Sequence, residues 1–246
     1  MILNGHRALI TGAAQGIGLA CAEELAAQGA NLILVDRNAD KLAEVADAME
    51  EKGRVVRSLA LDLTDLALVR ERVEKLASEM LIDILVNNAG FDRPGTIRKI
   101  DTQDLEAVLR IHVGAPFLLI KLLLPAMQLA GWGRIINMSS IYGLTGAKGE
   151  LAYSAAKAAV IGLTKSVAKE AGRFGVTVNA VLPGLTLTPT IEQFMADKYK
   201  QEIIDDTPLA RAGQPEEVAK VVAFLASHNA SFVTAAAIPV SGGWAA

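Results

Sequence analysis

The sequence predicts an α/β protein in which helices cover both faces of a doubly wound sheet of seven parallel strands. Short runs rich in β-branched residues alternate along the 246 residues with longer segments of helical periodicity, which is typical of this fold class. Several short runs are apolar on both faces, as expected of parallel strands that are buried on either side. No linker or repeat interrupts the alternation, and residues 1–246 are therefore predicted to form one domain.

The predicted elements follow one another as strand and helix. The seven predicted strands span residues 8–11, 31–35, 55–61, 84–87, 134–138, 177–181 and 237–240. The six predicted helices span residues 16–28, 40–52, 65–80, 102–129, 152–171 and 215–226. The last helix has a clear start, because Pro215 fits a first turn and Glu216 and Glu217 favour the positive end of the dipole. Residues 185–213 lack a clear strand, and we expect them to form a lid that contacts ligands.

Composition and charge exclude several function classes. A hydrophobic content of 52% permits a large core, and a net charge of -3 gives no basic surface for nucleic acid. The most apolar stretch, residues 115–127, is too short to span a membrane and contains Lys121 and two prolines, so a buried or interface helix is expected. The single cysteine, Cys21, excludes an intrachain disulfide and a cysteine-based zinc site. We expect a cytoplasmic protein without a membrane segment, a bound metal or a nucleic-acid partner.

A glycine-rich turn, T-G-A-A-Q-G-I-G at residues 11–18, joins the first predicted strand to the first predicted helix. Glycines there permit a tight turn and a close approach of the backbone to a pyrophosphate, which the N–H groups and the dipole of the following helix would bind. Three glycines also fit an ordinary structural turn. Their place directly after the first strand favours a dinucleotide site.

Asp36 ends the second predicted strand region, where a carboxylate can accept hydrogen bonds from an adenosine ribose. The same carboxylate would repel the 2′-phosphate of NADP by roughly 1–4 kcal/mol at ~4 Å, so the sequence favours NAD. Arg37 favours NADP instead, because a neighbouring guanidinium pairs well with the 2′-phosphate. Alternatively, Asp36 caps the helix that starts near Asp40, and Arg37 is solvated.

Four further motifs follow in order: N-N-A-G at 87–90, S-S at 139–140, Y-S-A-A-K at 153–157 and P-G at 183–184. Together with the glycine-rich turn, their order and spacing resemble the short-chain dehydrogenase/reductase family in its short single-domain form. The resemblance covers essentially the whole chain, from the first strand to the glycines at 242 and 243. It implies a Rossmann-type fold, hydride transfer between a nicotinamide and a small alcohol or carbonyl substrate, and a homotetramer.

The resemblance identifies Tyr153 as the acid and base, Ser140 as the group that orients the substrate oxygen, and Lys157 as a partner of the tyrosine and of the nicotinamide ribose. A free tyrosine has a pKa near 10 and is a poor base at neutral pH. Lys157 lies one helical turn from Tyr153, and its ammonium is expected to favour the phenolate. Ser139 is expected to be structural.

The same resemblance assigns the contacts to NAD. Beside Tyr153 and Lys157, the expected contacts are Gly12, Gln15, Gly16, Ile17, Gly18, Asp36, Asp62, Leu63, Asn88, Gly90, Pro183, Gly184, Leu185 and Thr188. The implied homotetramer would use the two longest helices, where residues 117–124 supply more apolar side chains than one buried helix face needs.

His112 departs from the family pattern, which usually has a catalytic asparagine at this place in a long helix. That asparagine kinks the helix, so that its own backbone carbonyl can hold a relay water. Here Pro116 lacks the N–H that would bond the carbonyl of His112, so the same carbonyl could be freed by another route. Otherwise His112 is a tolerated packing residue, a direct proton relay, or a sign of impaired catalysis. His6 and His228 offer no metal-ligand spacing.

The leading hypothesis is an NAD-dependent oxidoreductase of a secondary alcohol or ketone. The first alternative is a 3-oxoacyl carrier-protein reductase using NADPH, which Asp36 disfavours, as does the lack of a basic docking residue in the loop 130–133. The second alternative is a catalytically weakened protein that senses NAD(H), which only His112 favours. The expected substrate pocket is mostly apolar, with walls from Phe91, Asp92, Arg93, Ile141, Tyr142, Leu144, Leu185, Ile191, Phe194 and Met195.

Overall fold

The computed structural model describes residues 2–51 and 53–244 and confirms the predicted fold class. Seven strands form one parallel sheet in the order β3-β2-β1-β4-β5-β6-β7, so the chain winds outward from β1 in one direction and then from β4 in the other. The strands are β1 (Arg7–Thr11), β2 (Asn31–Asp36), β3 (Val56–Ala60), β4 (Ile84–Asn87), β5 (Gly133–Met138), β6 (Val176–Pro183) and β7 (Ala237–Val240).

The described residues contain ten α-helical segments that connect or follow these strands. They are α1 (Gly16–Ala27), α2 (Ala39–Glu50), α3 (Leu66–Glu79), α4 (Thr102–Leu109), α5 (Ala115–Ala130), α6 (Tyr142–Thr145), α7 (Leu151–Ala171), α8 (Pro189–Phe194), α9 (Asp197–Asp205) and α10 (Pro215–Ala226). Each predicted strand and helix has its counterpart, with small shifts at the ends. Residue 52, the end of the predicted helix 40–52, lies outside the described residues. The sequence did not predict α6, α8 or α9.

The sheet is buried on both faces because successive side chains of a strand point to opposite sides. On β1, Ile10 packs into the layer formed with Leu25 of α1 and Val222 of α10. Leu9 points the other way, into the layer that contains Leu119 of α5. The runs that are apolar on both faces therefore form the central strands, and their carboxyl ends all open at one edge of the sheet.

The predicted helix 102–129 is not regular. A π-helical turn at Arg110–Gly114 separates α4 from α5, and the N–H of Ala115 bonds the carbonyl of Arg110. Pro116 follows at the start of α5 and has no N–H to continue the α-helical pattern toward His112. Such π turns often lie at functional sites. The irregularity that Pro116 led us to expect is present, and it lies at His112.

The combined helix Thr102–Ala130 is long and apolar enough, by length and composition, to cross a membrane. Half of its most apolar 18-residue segment is buried inside the protein. Leu118, Leu119 and Leu123 of α5 belong to the core layer beside α3 and β5. The packing thus accounts for this apolar segment as a core helix.

The predicted lid, residues 185–213, contains α8 and α9, and its two ends are joined at the base. Thr186 and Gly213 form an isolated parallel bridge, and the N–H of Gly213 donates to the carbonyl of Leu185 over 2.9 Å. Thr188 starts α8, and its hydroxyl accepts a hydrogen bond from the N–H of Ile191 over 3.3 Å. This base fixes where the segment leaves and rejoins the sheet edge.

Candidate active site

A cavity of about 620 Å³ lies at the carboxyl ends of the strands, where a doubly wound sheet places its ligands. Its wall gathers nearly all the predicted site residues from segments far apart in the sequence. The predicted residues in the wall are Gly12, Gln15, Gly16, Ile17, Asp36, Asp62, Leu63, Asn88, Gly90, His112, Ser140, Tyr153, Lys157, Pro183, Gly184, Leu185 and Thr188. Gly18 lies behind this wall.

The glycine-rich turn forms one end of the cavity and depends on two of its glycines. Gly12 has a φ of +67°, which favours glycine, and a Cβ there would lie 2.9 Å from the side chain of Asn88. A Cβ on Gly18 would overlap the carbonyl oxygen of Gly12. Asn88 supports the turn because its Nδ2 donates to the carbonyl of Thr11 over 2.9 Å. The turn is therefore a narrow backbone cradle at the start of α1, as an anionic pyrophosphate requires.

Asp36 lies at the end of β2 and stabilises the glycine-rich turn through a hydrogen bond. Its Oδ2 accepts a hydrogen bond from the N–H of Ala14 over 3.1 Å, and its Oδ1 accepts from the N–H of Asn38 over 3.0 Å. Asn38, not Asp36, caps α2, because its side chain accepts from the N–H of Lys41. The alternative in which Asp36 caps that helix is therefore wrong.

Two cations lie near this carboxylate. Arg37 and Lys41 line the same part of the cavity as Asp36, and Nζ of Lys41 is 3.4 Å from Oε1 of Gln15. A ribose diol would meet the carboxylate, whereas a 2′-phosphate would meet both the carboxylate and these cations. The electrostatics of this corner are mixed, because the negative charge of Asp36 lies beside the positive charges of Arg37 and Lys41.

Asp62 follows β3 on the wall of the same end. One of its oxygens, Oδ1, accepts hydrogen bonds from the N–H and the hydroxyl of Thr64, each over 2.8 Å. These bonds, with a smaller contribution from the charge of Arg37, lower the pKa of Asp62 below its usual value. Asp62 is thus a charged acceptor held in one orientation, which suits an exocyclic amine such as that of adenine.

Ser140, Tyr153 and Lys157 meet at the other end of the cavity. Tyr153 and Lys157 occupy one face of α7, and Ser140 lies just after β5. The Oγ of Ser140 accepts a hydrogen bond from the N–H of Tyr142 over 3.2 Å, and its hydroxyl lies close enough to Tyr153 to lower the pKa of the phenol. Nζ of Lys157 donates to the carbonyl of Met138 over 2.7 Å and lies 5.2 Å from the centroid of the Tyr153 ring. Ser139 is structural as expected, since its hydroxyl donates to the carbonyl of Lys157 over 2.7 Å.

Burial dominates the ionisation of this group. It raises the pKa of Tyr153 well above the ordinary value, against the opposing effect of the Ser140 hydrogen bond. The same cause lowers the pKa of Lys157 to about 7. Burial therefore opposes the expected effect of Lys157, because it disfavours both charged forms, the phenolate and the ammonium. Tyr153 holds its proton and is placed to donate it.

His112 is buried and neutral. Burial, followed by the nearby charge of Lys157, lowers the pKa of His112 to about 3. Because the ring is neutral and its Nε2 lies 2.8 Å from the carbonyl oxygen of Phe91, Nε2 carries the proton and donates it. The ring lies edge-on to Tyr153 with centroids 5.4 Å apart and packs directly on Gly90. These contacts favour a packing and orienting role over proton relay, since a pKa near 3 makes the imidazole a poor proton acceptor.

The substrate half of the cavity differs from the expected pocket. Phe91, Asp92, Tyr142, Leu185, Ile191 and Met195 line it as predicted. Arg93 does not, because its Nε lies 3.6 Å from Oδ1 of Asp104. Ile141 is fully buried in the core, and the side chains of Leu144 and Phe194 are exposed. Other residues line the cavity although the sequence did not predict them, among them Glu150, Thr186, Ile203 and Trp244.

Glu150 is the most informative of the missed residues. Burial, together with the hydrogen bond and charge of Asp92, raises the pKa of Glu150 to about 8. It lies three residues before Tyr153, so the spacing of one helical turn could have pointed to it. The ring of Trp244 packs against Tyr142 with centroids 5.5 Å apart, a contact that no local pattern indicates.

Comparison with known proteins gives consistent results over nearly the whole chain. A family model described as enoyl-(acyl carrier protein) reductase matches residues 12–245. The 3-oxoacyl-[acyl-carrier-protein] reductase FabG of Aquifex aeolicus is 39% identical over 250 residues, which cover 98% of this chain and 98% of that protein. A 3-oxoacyl-[acyl-carrier protein] reductase from Brucella melitensis with bound NAD has a TM-score of 0.92 and 31% identity, and the match covers 100% of this chain and 93% of that one. A 3-oxoacyl (acyl-carrier-protein) reductase from Agrobacterium tumefaciens C58 with NADP bound has a TM-score of 0.93 and 32% identity, with 98% and 95% covered.

Proposed function

Because this chain belongs to the short-chain dehydrogenase/reductase family, we propose that it transfers a hydride between NAD(H) and a secondary alcohol or the matching ketone, with Tyr153 as acid and base. The observation that carries the proposal is the single cavity that joins the glycine-rich turn to Ser140, Tyr153 and Lys157. A nicotinamide dinucleotide supplies the hydride chemistry when it is bound. The residues of the chain position the reactants and move the proton.

The residues fit such a cofactor along its length. The backbone cradle formed by Gly12 and Gly16 would hold the pyrophosphate, and Asp36 would accept hydrogen bonds from the adenosine ribose. Asp62 and Leu63 would border the adenine. The segment from Pro183 to Thr188 lines the opposite end, where the nicotinamide would lie near Tyr153. Asn88 and Gly90 form the floor between these ends.

The proton chemistry follows from the ionisation of the site. Tyr153 is protonated, so its hydroxyl can donate to the oxygen of a ketone that Ser140 orients. Lys157 is buried beside it, and the positive charge it carries when protonated would stabilise the phenolate left after proton donation. In the direction of alcohol oxidation the same phenolate would accept the hydroxyl proton. The site therefore supports both directions.

The preference for NAD over NADP is supported by Asp36. A carboxylate about 4 Å from a 2′-phosphate would repel it by roughly 1–4 kcal/mol, depending on the local dielectric. Arg37 and Lys41 offset part of this repulsion, because they line the same corner. We therefore propose a preference for NAD rather than an absolute requirement.

A 3-oxoacyl carrier-protein reductase is the second candidate, favoured by the names of the relatives. The chemistry is the same, since a 3-oxoacyl group is a ketone, and only the carrier differs. Asp36 weighs less against this candidate than the sequence interpretation assumed, because one such solved structure holds NAD. A weakened NAD(H)-binding protein is disfavoured by the intact contact between Ser140 and Tyr153.

The proposal includes a cytoplasmic homotetramer that acts on small molecules and binds neither nucleic acid nor membrane. Phe117 on α5 is about half exposed, although Leu118, Leu119 and Leu123 face the core, so part of the apolar surface of α5 is free to meet another subunit. Cys21 is buried, and burial raises the pKa of its thiol to about 12, as expected of an inert cysteine.

The proposed function is tested by steady-state turnover of small ketones, secondary alcohols and a 3-oxoacyl carrier-protein thioester, each with NAD(H) and with NADP(H). We expect NADH-dependent reduction of small ketones, lost in Tyr153→Phe. Turnover confined to the carrier thioester with NADPH would support the second candidate instead. Cofactor binding without turnover of any substrate would support the non-catalytic alternative.

A further inference from the structure

The segment after the last strand supplies an aromatic wall to the substrate half of the cavity. We propose that Trp244, packed on Tyr142, determines substrate specificity by binding the larger apolar substituent of the ketone. The substrate is then a ketone with a bulky, uncharged hydrocarbon group, such as a ring, next to its carbonyl. This inference rests on the proposed function, because it concerns the substrate of the same site.

The fold holds the segment that carries Trp244 in one place. Gly242 and Gly243 have φ angles of +63° and +89°, which favour glycine, and they turn the chain directly after β7. The N–H of Leu209 donates to the carbonyl of Gly242 over 3.1 Å. A Cβ on Gly243 would lie 2.8 Å from Cγ of Pro208, so the turn packs closely on the segment that follows α9. Trp244 therefore reaches the cavity from a fixed base.

The side chain of Trp244 joins the core to the cavity. It packs against a buried cluster that includes Ile141 and Leu182. Its ring also meets the ring of Tyr142 edge-on, with an interplanar angle of 73° and centroids 5.5 Å apart, which is a favourable aromatic arrangement. Both rings line the cavity. Because the indole rests on buried residues and on a second ring, it presents a fixed apolar surface to a bound substrate.

Tyr142 places this wall beside the reacting carbonyl. Its N–H donates to Oγ of Ser140 over 3.2 Å, and Ser140 is the group that would orient the substrate oxygen. The segment Ser140–Tyr142 therefore carries both the orienting hydroxyl and the first ring of the wall. One substituent of a ketone held at Ser140 and Tyr153 would lie against Tyr142, with Trp244 beyond it.

The surroundings of the two rings favour a hydrocarbon substituent. Burial raises the pKa of Tyr142, so its ring is neutral. The carboxyl groups of Asp92 and Glu150 also line this half of the cavity, and they disfavour an anionic substituent. A hydrocarbon ring would gain from each methylene removed from water, and the two aromatic rings offer a large surface for it. The same half of the cavity is lined by three further apolar side chains, Ile191, Met195 and Ile203.

The test compares 1-cyclohexylethanone with butan-2-one, which has an ethyl group in place of the ring, each with NADH. Wild type should prefer the ring ketone in kcat/KM by about tenfold or more, because a single well-packed methylene can provide about 10–200-fold. Trp244→Ala should lower that ratio by about fivefold or more, mainly through a higher KM for the ring ketone. Trp244→Phe should keep most of the ratio. Phe232→Ala removes a fully exposed aromatic side chain and is the matched control, which should keep the wild-type ratio.

The ratio separates contact with the substrate from general damage, since a misfolded fraction lowers the turnover of both ketones equally. Equal ratios in wild type and Trp244→Ala, or a wild type without preference for the ring ketone, would overturn the inference while leaving the proposed function intact, because butan-2-one would still be reduced. A higher ratio in Trp244→Ala would also overturn it, because the indole would then restrict the substituent rather than bind it. If wild type reduces neither these nor other ketones with NADH or NADPH, the proposed function fails and the inference fails with it.

Discussion

The ring of His112 packs directly against Gly90 and leaves no room for a larger residue there. We therefore predict that Gly90→Ala displaces this ring and destabilises the protein. A Cβ at position 90 would lie 2.8 Å from Nδ1 and 2.9 Å from Nε2 of His112, and closer still to Cε1. Ordinary contacts of this kind are about 3.5–4.0 Å, so the ring must move in Gly90→Ala. The ring is only 4% exposed and lies against Tyr153, so little space is free to receive it.

Two effects determine how much stability Gly90→Ala should lose. Overpacking of a buried site costs about 1–3 kcal/mol, and the hydrogen bond from Nε2 to the carbonyl of Phe91 contributes about 0.5–1.5 kcal/mol. Gly90→Ala should therefore destabilise the protein by roughly 2–4 kcal/mol. For a chain of this size that lowers the melting temperature by roughly 4–16 °C, measured by thermal unfolding at one protein concentration. The displaced ring should also slow turnover by shifting Tyr153.

A double-mutant cycle separates this contact from a general effect of the added methyl group. Gly90→Ala combined with His112→Ala should be at least about 1 kcal/mol more stable than the sum of the single effects, because the smaller side chain leaves room. Gly114→Ala is the control, since a Cβ there would meet only Leu66, at 3.6 Å. A melting temperature of Gly90→Ala equal to that of wild type would contradict this prediction. So would a double variant whose loss of stability equals the sum of the losses of the two single variants.

Three further predictions concern charge and proton transfer. His112 has a pKa of about 3 in the folded chain against about 6.5 when unfolded, so the unfolded state binds more protons between these values. Stability should therefore fall as the pH drops below 6.5, by up to about 1.4 kcal/mol per pH unit, and urea unfolding of His112→Asn should lack this contribution. Asp36→Asn should shift the kcat/KM ratio toward NADP by about tenfold or more, and a wild type that already prefers NADP would contradict the role given to Asp36. Tyr153→Phe should reduce kcat by ~100–10,000-fold with saturating cofactor, and His112→Asn by much less. Equal losses in these two variants would mean that the imidazole carries the proton.

The sheet and the two ends of the site could be predicted from the sequence because their signals are local. A run such as Ile84–Asn87 is apolar on both faces, and its turn residues directly follow. The same holds for Tyr153 and Lys157, whose spacing within one helix fixes that they share a face. Asp36 was placed correctly at the end of β2, but its hydrogen bonds to Ala14 and Asn38 come from the way the turn folds back.

Other features depend on contacts between distant segments, which no local pattern encodes. The helices α8 and α9 are short, and residues 185–213 are tied together at Thr186 and Gly213 rather than by their own periodicity. The effect of burial on the pKa values of Tyr153 and Lys157 could not be predicted, because the enclosure of both groups is a property of the packed site. His112 stood out from the sequence, yet its partner Phe91 lies 21 positions away and became visible only in the fold.

The proposed activity is hydride transfer between a bound nicotinamide and a carbonyl carbon that lies at Tyr153. The most direct measurement uses NADH that carries deuterium on the transferred position, followed by mass spectrometry of the product of 1-cyclohexylethanone or another ketone that the enzyme reduces. We expect one deuterium on the former carbonyl carbon with wild type, and none above background with Tyr153→Phe, although that variant still binds NADH. Bound NADH without deuterium transfer to any ketone, or equal transfer by Tyr153→Phe, would contradict it.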